Sequence, residues 1–413
     1  PVAGQNLLAF SPLTVANRFY VYNSATNLYN AVTPSTTSFA AATGYLIRMP
    51  NNFSDTTPGS WEGTFTGVPN NGNYSVTVAN GTYNAVGNPY PSPIDVEEFL
   101  AVNTLEAGEA FYFWRKTNNA ANTSYATFTP GMGGLANGGG GSSIAPNGIL
   151  QVGQGFIVKS TSTAINFTNA MRVSNHDNQF LRVAPSSLSE SAQKSRIWLK
   201  VTTEDNVFGQ LLVGYVPNAT EGVDAGIDGK YINDSQNAFT SLINGQEFAI
   251  QGRSLPFSAA DVVPLGFKTT QAGLYAIAID QVDGLFEDAT QAIYIKDNVT
   301  GTEHNLKVSP YEFTSAAGVF NSRFELIYQT TLSVVNPIAQ NVLVYKNNQE
   351  LNIKAADADL ISVTVYDLSG RVIAFRNNLN TTETSLSLGM LSNQMVIVKG
   401  TTTSGSFTQK VLW

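Results

Sequence analysis

The amino-acid sequence predicts an all-β protein built from several β-sandwich domains in tandem. Three observations carry this expectation. Short runs with apolar residues at every second position recur along the whole chain, the spacing of strands with one buried face. Clusters of Gly, Asn, Ser and Thr separate those runs and supply turn conformations. Only 13% of the residues are charged, against 43% hydrophobic, and no long stretch carries the 3.6-residue period of an amphipathic helix. With 413 residues, the chain is long enough for several separate cores. Boundaries are expected in the polar stretch Pro185 to Lys194 and around Leu332 to Pro337. They divide the chain into a β-rich module over 1–184, a sandwich over 185–331 and a small final domain over 332–413.

In the first module RFYVYN (Arg18 to Asn23), GYLIRMP (Gly44 to Pro50) and NYSVTV (Asn73 to Val78) alternate as strands. AFYFWRK (Ala110 to Lys116) and GQGFIVKS (Gly153 to Ser160) are denser and read as central strands. Asn70-Asn71-Gly72 reads as a turn between a strand at Gly63 to Gly67 and one at Tyr74 to Val78. One helix is expected, in GNPYPSPIDVEEFLAVN (Gly87 to Asn103), with Ser92 as its cap and Pro93 in its first position. Ile94, Phe99 and Leu100 would pack it on a sheet. The Gly-rich run between Pro130 and Pro146 contains no lysine and no strand-to-helix context, so it is a loop and not a phosphate cradle.

The second module offers IWLKVTT (Ile197 to Thr203), GQLLVGYV (Gly209 to Val216), GLYAIAID (Gly273 to Asp280), AIYIKD (Ala292 to Asp297) and RFELIYQ (Arg323 to Gln329). This spacing of strands and turns fits a sandwich. The last module centres on ISVTVYDLSGRVIAF, in which Ile361, Val363 and Val365 alternate with Ser362, Thr364 and Tyr366. Asp367 to Gly370 supplies turn chemistry, and Arg371 to Phe375 returns as the second strand of a hairpin.

Composition excludes several classes of function. A net charge of −8 with no basic run argues against a nucleic-acid surface. The absence of cysteine removes disulfides, thiolate metal sites and a Cys nucleophile, and favours a bacterial product. No apolar stretch approaches the roughly 20 residues of a membrane helix. The chain opens at Pro1 without a signal peptide, which points to a fragment or processed product of something longer.

Candidate chemistry is sparse. His176 and His304 are the only histidines, and neither sits in a catalytic context. Asp224, Asp228 and Asp234 lie among glycines in EGVDAGIDGKYIND and could wrap a hard cation such as calcium. Their spacing matches neither the EF-hand loop nor the RTX nonapeptide, and a solvated acidic turn is the favoured reading. Calcium is thus the one cofactor the sequence admits. Glu97 and Glu109 form an imaginable glycosidase pair, but Glu97 and Glu98 suit the first turn of a helix and nothing sets a carboxylate separation. Trp61, Trp114, Trp198, Tyr45 and Tyr112 could stack on sugar rings, although alternating strands more often bury such residues in a core. No catalytic centre is expected in this stretch of chain.

The final module resembles the C-terminal sorting domains of proteins exported by the type IX secretion system of Bacteroidota. The matching features are Asn336-Pro337, VYDLSGRVI (Val365 to Ile373), the LSL segment Leu386 to Leu388 and the basic-apolar ending at Lys410-Val411. The family's Gly-x-Tyr is replaced by NQMVIVKG (Asn393 to Gly400), closer to the type C than to the type A variety of the signal. GNPYPSPID, the HNL, YEF and SRFEL succession from His304 to Leu326, and PVAGQ at the start resemble modules of large flavobacterial surface proteins. The resemblance implies a small Ig-like sandwich recognised by the type IX translocon and an outer-membrane shuttle barrel, then often cleaved. It implies a secreted or cell-surface location reached through the periplasm and outer membrane. Tyr366, Asp367, Gly370, Lys410, Val411 and Trp413 are the residues expected to matter for export. The upstream modules are expected to be structural or adhesive, with a surface glycan or another cell as partner. The other reading makes them accessory modules of a secreted hydrolase whose catalytic domain lies N-terminal to this chain.

Overall fold

The computed structural model describes every residue except 55–60, 115–124, 137–144, 175–193, 204–207, 233–235, 330–341, 357, 390–393 and 404. The chain is all-β and forms two compact units, Pro1–Gln329 and Thr330–Trp413. Among the described residues no helix is long and apolar enough to cross a membrane.

The first part of the larger unit is organised by five strands: β1 (Tyr83–Gly87), β2 (Phe111–Trp114), β3 (Tyr125–Thr129), β4 (Gly133–Leu135) and β5 (Gly155–Lys159). They form an antiparallel sheet in the order β4-β3-β2-β5-β1, so the two dense runs are indeed interior strands. Their density follows from burial on both faces. Phe111, Phe113 and Phe156 point into one core with Phe99 and Phe167, while Tyr112 and Ile157 point into another.

Two local expectations change. The helix spans Val96–Leu100, and its N-cap is Asp95, whose side chain accepts from the Glu97 amide at 2.7 Å. Ile94 and Asp95 first pair as a short strand with Ile149 and Leu150, which holds the backbone extended past Ser92 and delays the helix. Ser92 instead accepts from the Arg172 guanidinium at 2.8 Å. The stretch Gly63 to Gly67 is not a strand. The Gln5 amide takes a strand's place there, donating to the Thr64 carbonyl at 3.0 Å and accepting from the Thr66 amide at 3.1 Å. Tyr74–Thr77 pairs with Ala164–Phe167, so Asn70 to Gly72 turns the chain without closing a hairpin.

Among the described residues the second part holds eleven strands: β6 (Ser195–Thr202), β7 (Phe208–Tyr215), β8 (Gly229–Lys230), β9 (Ala238–Ile243), β10 (Gln246–Arg253), β11 (Val262–Thr269), β12 (Gly273–Val282), β13 (Tyr294–Asp297), β14 (Thr302–Asn305), β15 (Tyr311–Ser315) and β16 (Gly318–Ile327). Their order is β14-β13-β16-β11-β9-β10-β7-β6-β12-β15, with β8 added beside β10. The pair β7 and β10 runs parallel. One core takes Ile197, Leu199 and Val201 from β6, Leu265 and Phe267 from β11, and Phe324 and Leu326 from β16. The sheet therefore bends over its own core in sandwich fashion.

Strands β6, β7 and β10 are also covered on their other face. Trp198, Leu212 and Ile250 pack there with Met132, Leu135 and Ile227. Arg196 donates to the Met132 carbonyl at 2.6 Å, the Trp198 indole donates to the Gly134 carbonyl at 3.1 Å, and the Thr129 hydroxyl donates to the Ile227 carbonyl at 2.8 Å. The regions expected as separate modules over 1–184 and 185–331 are thus packed together in one compact unit. The expected junction itself falls outside the described residues.

Among its described residues the smaller unit has seven strands: β17 (Val342–Asn347), β18 (Glu350–Ala355), β19 (Leu360–Tyr366), β20 (Val372–Thr381), β21 (Glu383–Ser387), β22 (Met395–Thr402) and β23 (Gly405–Leu412). One sheet is β17-β18-β21 and the other is β20-β19-β22-β23. The two enclose a single core of Leu351, Ile353, Leu360, Val363, Val365, Val396, Val398, Phe407 and Trp413 with their neighbours. Compared with an Ig constant domain, the fourth strand pairs with the third instead of joining the first sheet. A register shift between Leu360 and Ser362 modifies the expected alternation. Leu360 enters the core and Ile361 is turned out, 39% exposed, because a bulge reverses the faces of the residues before it.

Candidate recognition surface

The hairpin turn between β19 and β20 is organised by one carboxylate. Asp367 accepts at Oδ1 from the Ser369 amide (2.9 Å), the Ser369 hydroxyl (2.6 Å) and the Arg371 amide (3.0 Å). At Oδ2 it accepts from Arg371 Nε at 3.0 Å. The Ser369 hydroxyl and these companions favour the charged form and draw the carboxyl down to about 2. Gly370 closes the turn at φ +83°, a conformation that suits glycine, and donates its amide to the Asp367 carbonyl at 3.1 Å.

The last strand divides the remaining expected residues by face. Trp413 is 4% exposed and belongs to the core, and Val411 packs against that core. Trp413 also exchanges two backbone hydrogen bonds with Gln394, at 2.8 and 3.3 Å, and Lys346 lies over its ring at 4.7 Å. Lys410 alternates with Val411 and points outward, exposed. The ladder places it opposite Ile397, which is opposite Tyr366. Two residues expected from sequence, Tyr366 and Lys410, therefore share one row of the outer face, and Val411 and Trp413 lie beneath it.

The adjoining row runs Phe375, Thr364, Lys399, Thr408. Phe375 is 64% exposed, and Lys399 sits 5.7 Å from the Tyr366 ring. Met395 opposite Leu412 extends the apolar part of the face. Phe375, Met395, Ile397 and Lys399 join them beyond the residues expected from sequence, although the alternation in MVIVKGT already assigns Met395, Ile397 and Lys399 to a common side. The outer face of the other sheet differs in charge. It carries Leu343, Lys354 and Glu383 in one row and Asn347, Glu350 and Ser387 in another, with Lys354 and Glu383 paired at 3.7 Å.

The other candidates fall elsewhere. Asp228 is fully buried and accepts from the Gly252 amide at 2.7 Å and the Asp224 amide at 2.6 Å. Burial pushes its carboxyl up to about 6 against those hydrogen bonds. Asp224 is taken up by the amide and hydroxyl of Thr220, and Asp234 lies outside the described residues. Both placed carboxylates fix the loop that carries Gly226 and Ile227. Among the described residues no cluster of three or more metal-binding side chains occurs.

Glu97 is exposed in the first helical turn, whereas Glu109 is buried. Glu109 Oε2 accepts from Tyr83 (3.1 Å) and Tyr112 (3.0 Å), and Lys159 and Lys230 stand 3.8 and 3.7 Å from Oε1. Burial raises its pKa. Tyr112 and Glu109 come from the first part of the unit and Lys230 from the second, so this cluster ties the two parts together.

His304 meets the carbonyl and hydroxyl of Ser309 at 2.8 and 3.1 Å across the turn that follows β14; His176 lies outside the described residues. Of the aromatics, Trp198 and Tyr112 are core. Trp61 and Tyr45 line a cavity of about 360 Å³ with Phe10, Phe39 and Phe65, whose rings pack mostly edge to face, and Trp114 borders a smaller one of about 200 Å³.

Comparison with known proteins returns families without an assigned role. A family model described as a domain of unknown function, DUF8693, matches residues 1–328. A second, DUF8694, matches residues 331–413. No curated protein matches. Among solved structures, a β-D-glucuronidase from Dictyoglomus thermophilum aligns at 9% identity and a TM-score of 0.13, over 54% of this chain and 44% of that one. The BSP domain of a biofilm-associated protein aligns at 9% identity and a TM-score of 0.14, over 83% of this chain and 66% of that one. In both cases the aligned part is less than two thirds of the other chain. Scores this low carry no argument about fold or activity.

Proposed function

Starting from a chain that belongs to the DUF8693 family over residues 1–328, we propose that it is a secreted or cell-surface protein of the type IX pathway. In this reading the smaller unit is the export signal, read as a folded object, and the larger unit is structural or adhesive cargo. The observation that supports it most is the autonomy of the smaller unit. It has its own closed core and strand set, and the family boundary at 328/331 coincides with the structural boundary at 329/330. A portable sandwich of this kind can be recognised whatever cargo precedes it.

The test is removal of residues 331–413 from the full chain in the bacterium that makes it. The truncated chain is expected in the periplasm, and the intact chain at the surface or in the medium. Equal surface delivery of both would overturn the reading. A second reading has one observation in its favour. The aromatic-lined cavity at Trp61 and Tyr45 suits a ligand with an apolar face, as in an adhesive or accessory glycan-binding module. Glycan-array binding that disappears in Trp61→Ala would support it.

A further inference from the structure

The outer face of the β20-β19-β22-β23 sheet combines exposed lysines with exposed aromatic and aliphatic side chains. Read across the ladder, its placed side chains are Phe375, Thr364, Lys399 and Thr408 in one row, and Tyr366, Ile397 and Lys410 in the next. Among the described residues of these rows every charge is positive, in a chain whose net charge is −8. Among the described residues, Lys399 and Lys410 are exposed and have no carboxylate partner, whereas Lys354 on the opposite sheet is paired with Glu383 at 3.7 Å. Phe375 and Leu412, 64% and 67% exposed, place apolar surface on the same side.

We propose that this face is a docking site for a protein of the export apparatus whose apposed surface is acidic and apolar. The inference rests on the export reading above and adds which face is recognised and by what chemistry. Unpaired lysines interleaved with exposed aromatic and aliphatic residues complement carboxylates arranged around an apolar patch. The geometry favours a protein over an anionic membrane. The placed rows of this sheet hold two cations, whereas lipid headgroups are typically held by clusters of about four to eight Lys or Arg. Four strands about 4.8 Å apart and about 25 Å long offer on the order of 400 Å². That is about half the roughly 800 Å² per partner of a stable complex, the size of a transient contact. A signal that must be both bound and released is suited to such an area.

The test compares four full-length chains in the producing bacterium: the wild type, K399E/K410E, K354E, and the chain lacking residues 331–413. Surface delivery is measured by protease accessibility on intact cells, and folding by thermal melts of the purified chains. Reversal of both exposed lysines should leave the melt unchanged and lower surface delivery on the order of tenfold. It should also abolish salt-sensitive co-purification with the export apparatus. K354E should behave as the wild type. If the deletion arrests export while K399E/K410E travels normally, the docking face is refuted and the export reading stands. If the deletion is exported normally, the export reading fails and the docking proposal fails with it. Sedimentation of the wild type, but not K399E/K410E, with phosphatidylglycerol vesicles would identify a membrane surface as the occupant and overturn the protein partner.

Discussion

Trp413→Ala is the substitution that best separates holding the fold from presenting a surface. The indole is 4% exposed in the core of the smaller unit, and Lys346 stacks on it at 4.7 Å. Truncating a buried Trp to Ala typically costs about 3–5 kcal/mol, to which the lost cation–π contact adds on the order of 0.5 kcal/mol. A domain of this size has about 5–15 kcal/mol of stability in all. Each kcal/mol moves the midpoint by roughly 4–8 °C in a domain of 60–100 residues, so a drop of about 12 °C or more is expected. Calorimetry of the full chain reads this directly, because the two compact units can melt as separate transitions. Lys410→Glu, on the same strand but facing outward, is the control and should stay within about 0.5 kcal/mol of the wild type. A shift under about 4 °C in W413A would refute the placement of the ring in the core. If the shift is as large as expected, an export defect in W413A reports unfolding, and only outward substitutions report recognition.

Further outcomes follow from the same reasoning. Arg323→Met strands the fully buried Asp297, which now accepts from the guanidinium at 2.8 Å and from Tyr311 at 3.0 Å; a loss of about 3–5 kcal/mol is expected in the larger unit by denaturant unfolding. Asp297→Asn in the same background should recover part of it, because the uncompensated charge is gone. Asp228, raised to about 6 by burial, binds its proton more tightly in the folded than in the unfolded chain. Its contribution therefore lowers stability as pH rises from about 4 through 6, by up to about 3 kcal/mol; Asp228→Asn should flatten the melting-temperature profile of the larger unit over that window. Gly400→Ala would drive a Cβ to within 2.5 Å of the Phe407 ring and 2.9 Å of the Ser362 carbonyl. It should destabilise the smaller unit by about 1–3 kcal/mol, measured on the transition used for W413A.

How much of this was legible depends on whether the signal was local. The Val363 to Phe375 hairpin could be read because alternation and an Asp-x-Ser-Gly turn are both encoded within a few residues. Asp367 does in the structure what that turn chemistry implies. The strands β9 and β10 carry an equally local signal in the Asn244-Gly245 pair between them. Asn244 and Gly245 adopt φ +52° and +78°, a pair of left-handed residues between two strands. The flanking strands are hard to read locally because AFTSLI and much of QEFAIQGR are buried on both faces, so alternation disappears. The helix start was misplaced by three residues because the cap was decided by the pairing of Ile94 and Asp95 with Ile149 and Leu150, more than fifty positions away.

The sequence by itself determined the all-β class, the strands that alternate clearly or carry dense apolar runs, the turn at Asp367 and the alternation along the last strand. These are properties of neighbouring residues, set by side-chain period and turn chemistry. Only the tertiary structure decided that the first two expected modules share one unit, that Leu360 replaces Ile361 in the core, and that Gln5 substitutes for a strand. It also decided that Lys410, Ile397 and Tyr366 stand in one row with Lys399 and Phe375 beside them. Each of these depends on which strand pairs with which and in what register. That choice is made by long-range packing and backbone hydrogen bonding, and no local stretch of sequence carries it alone.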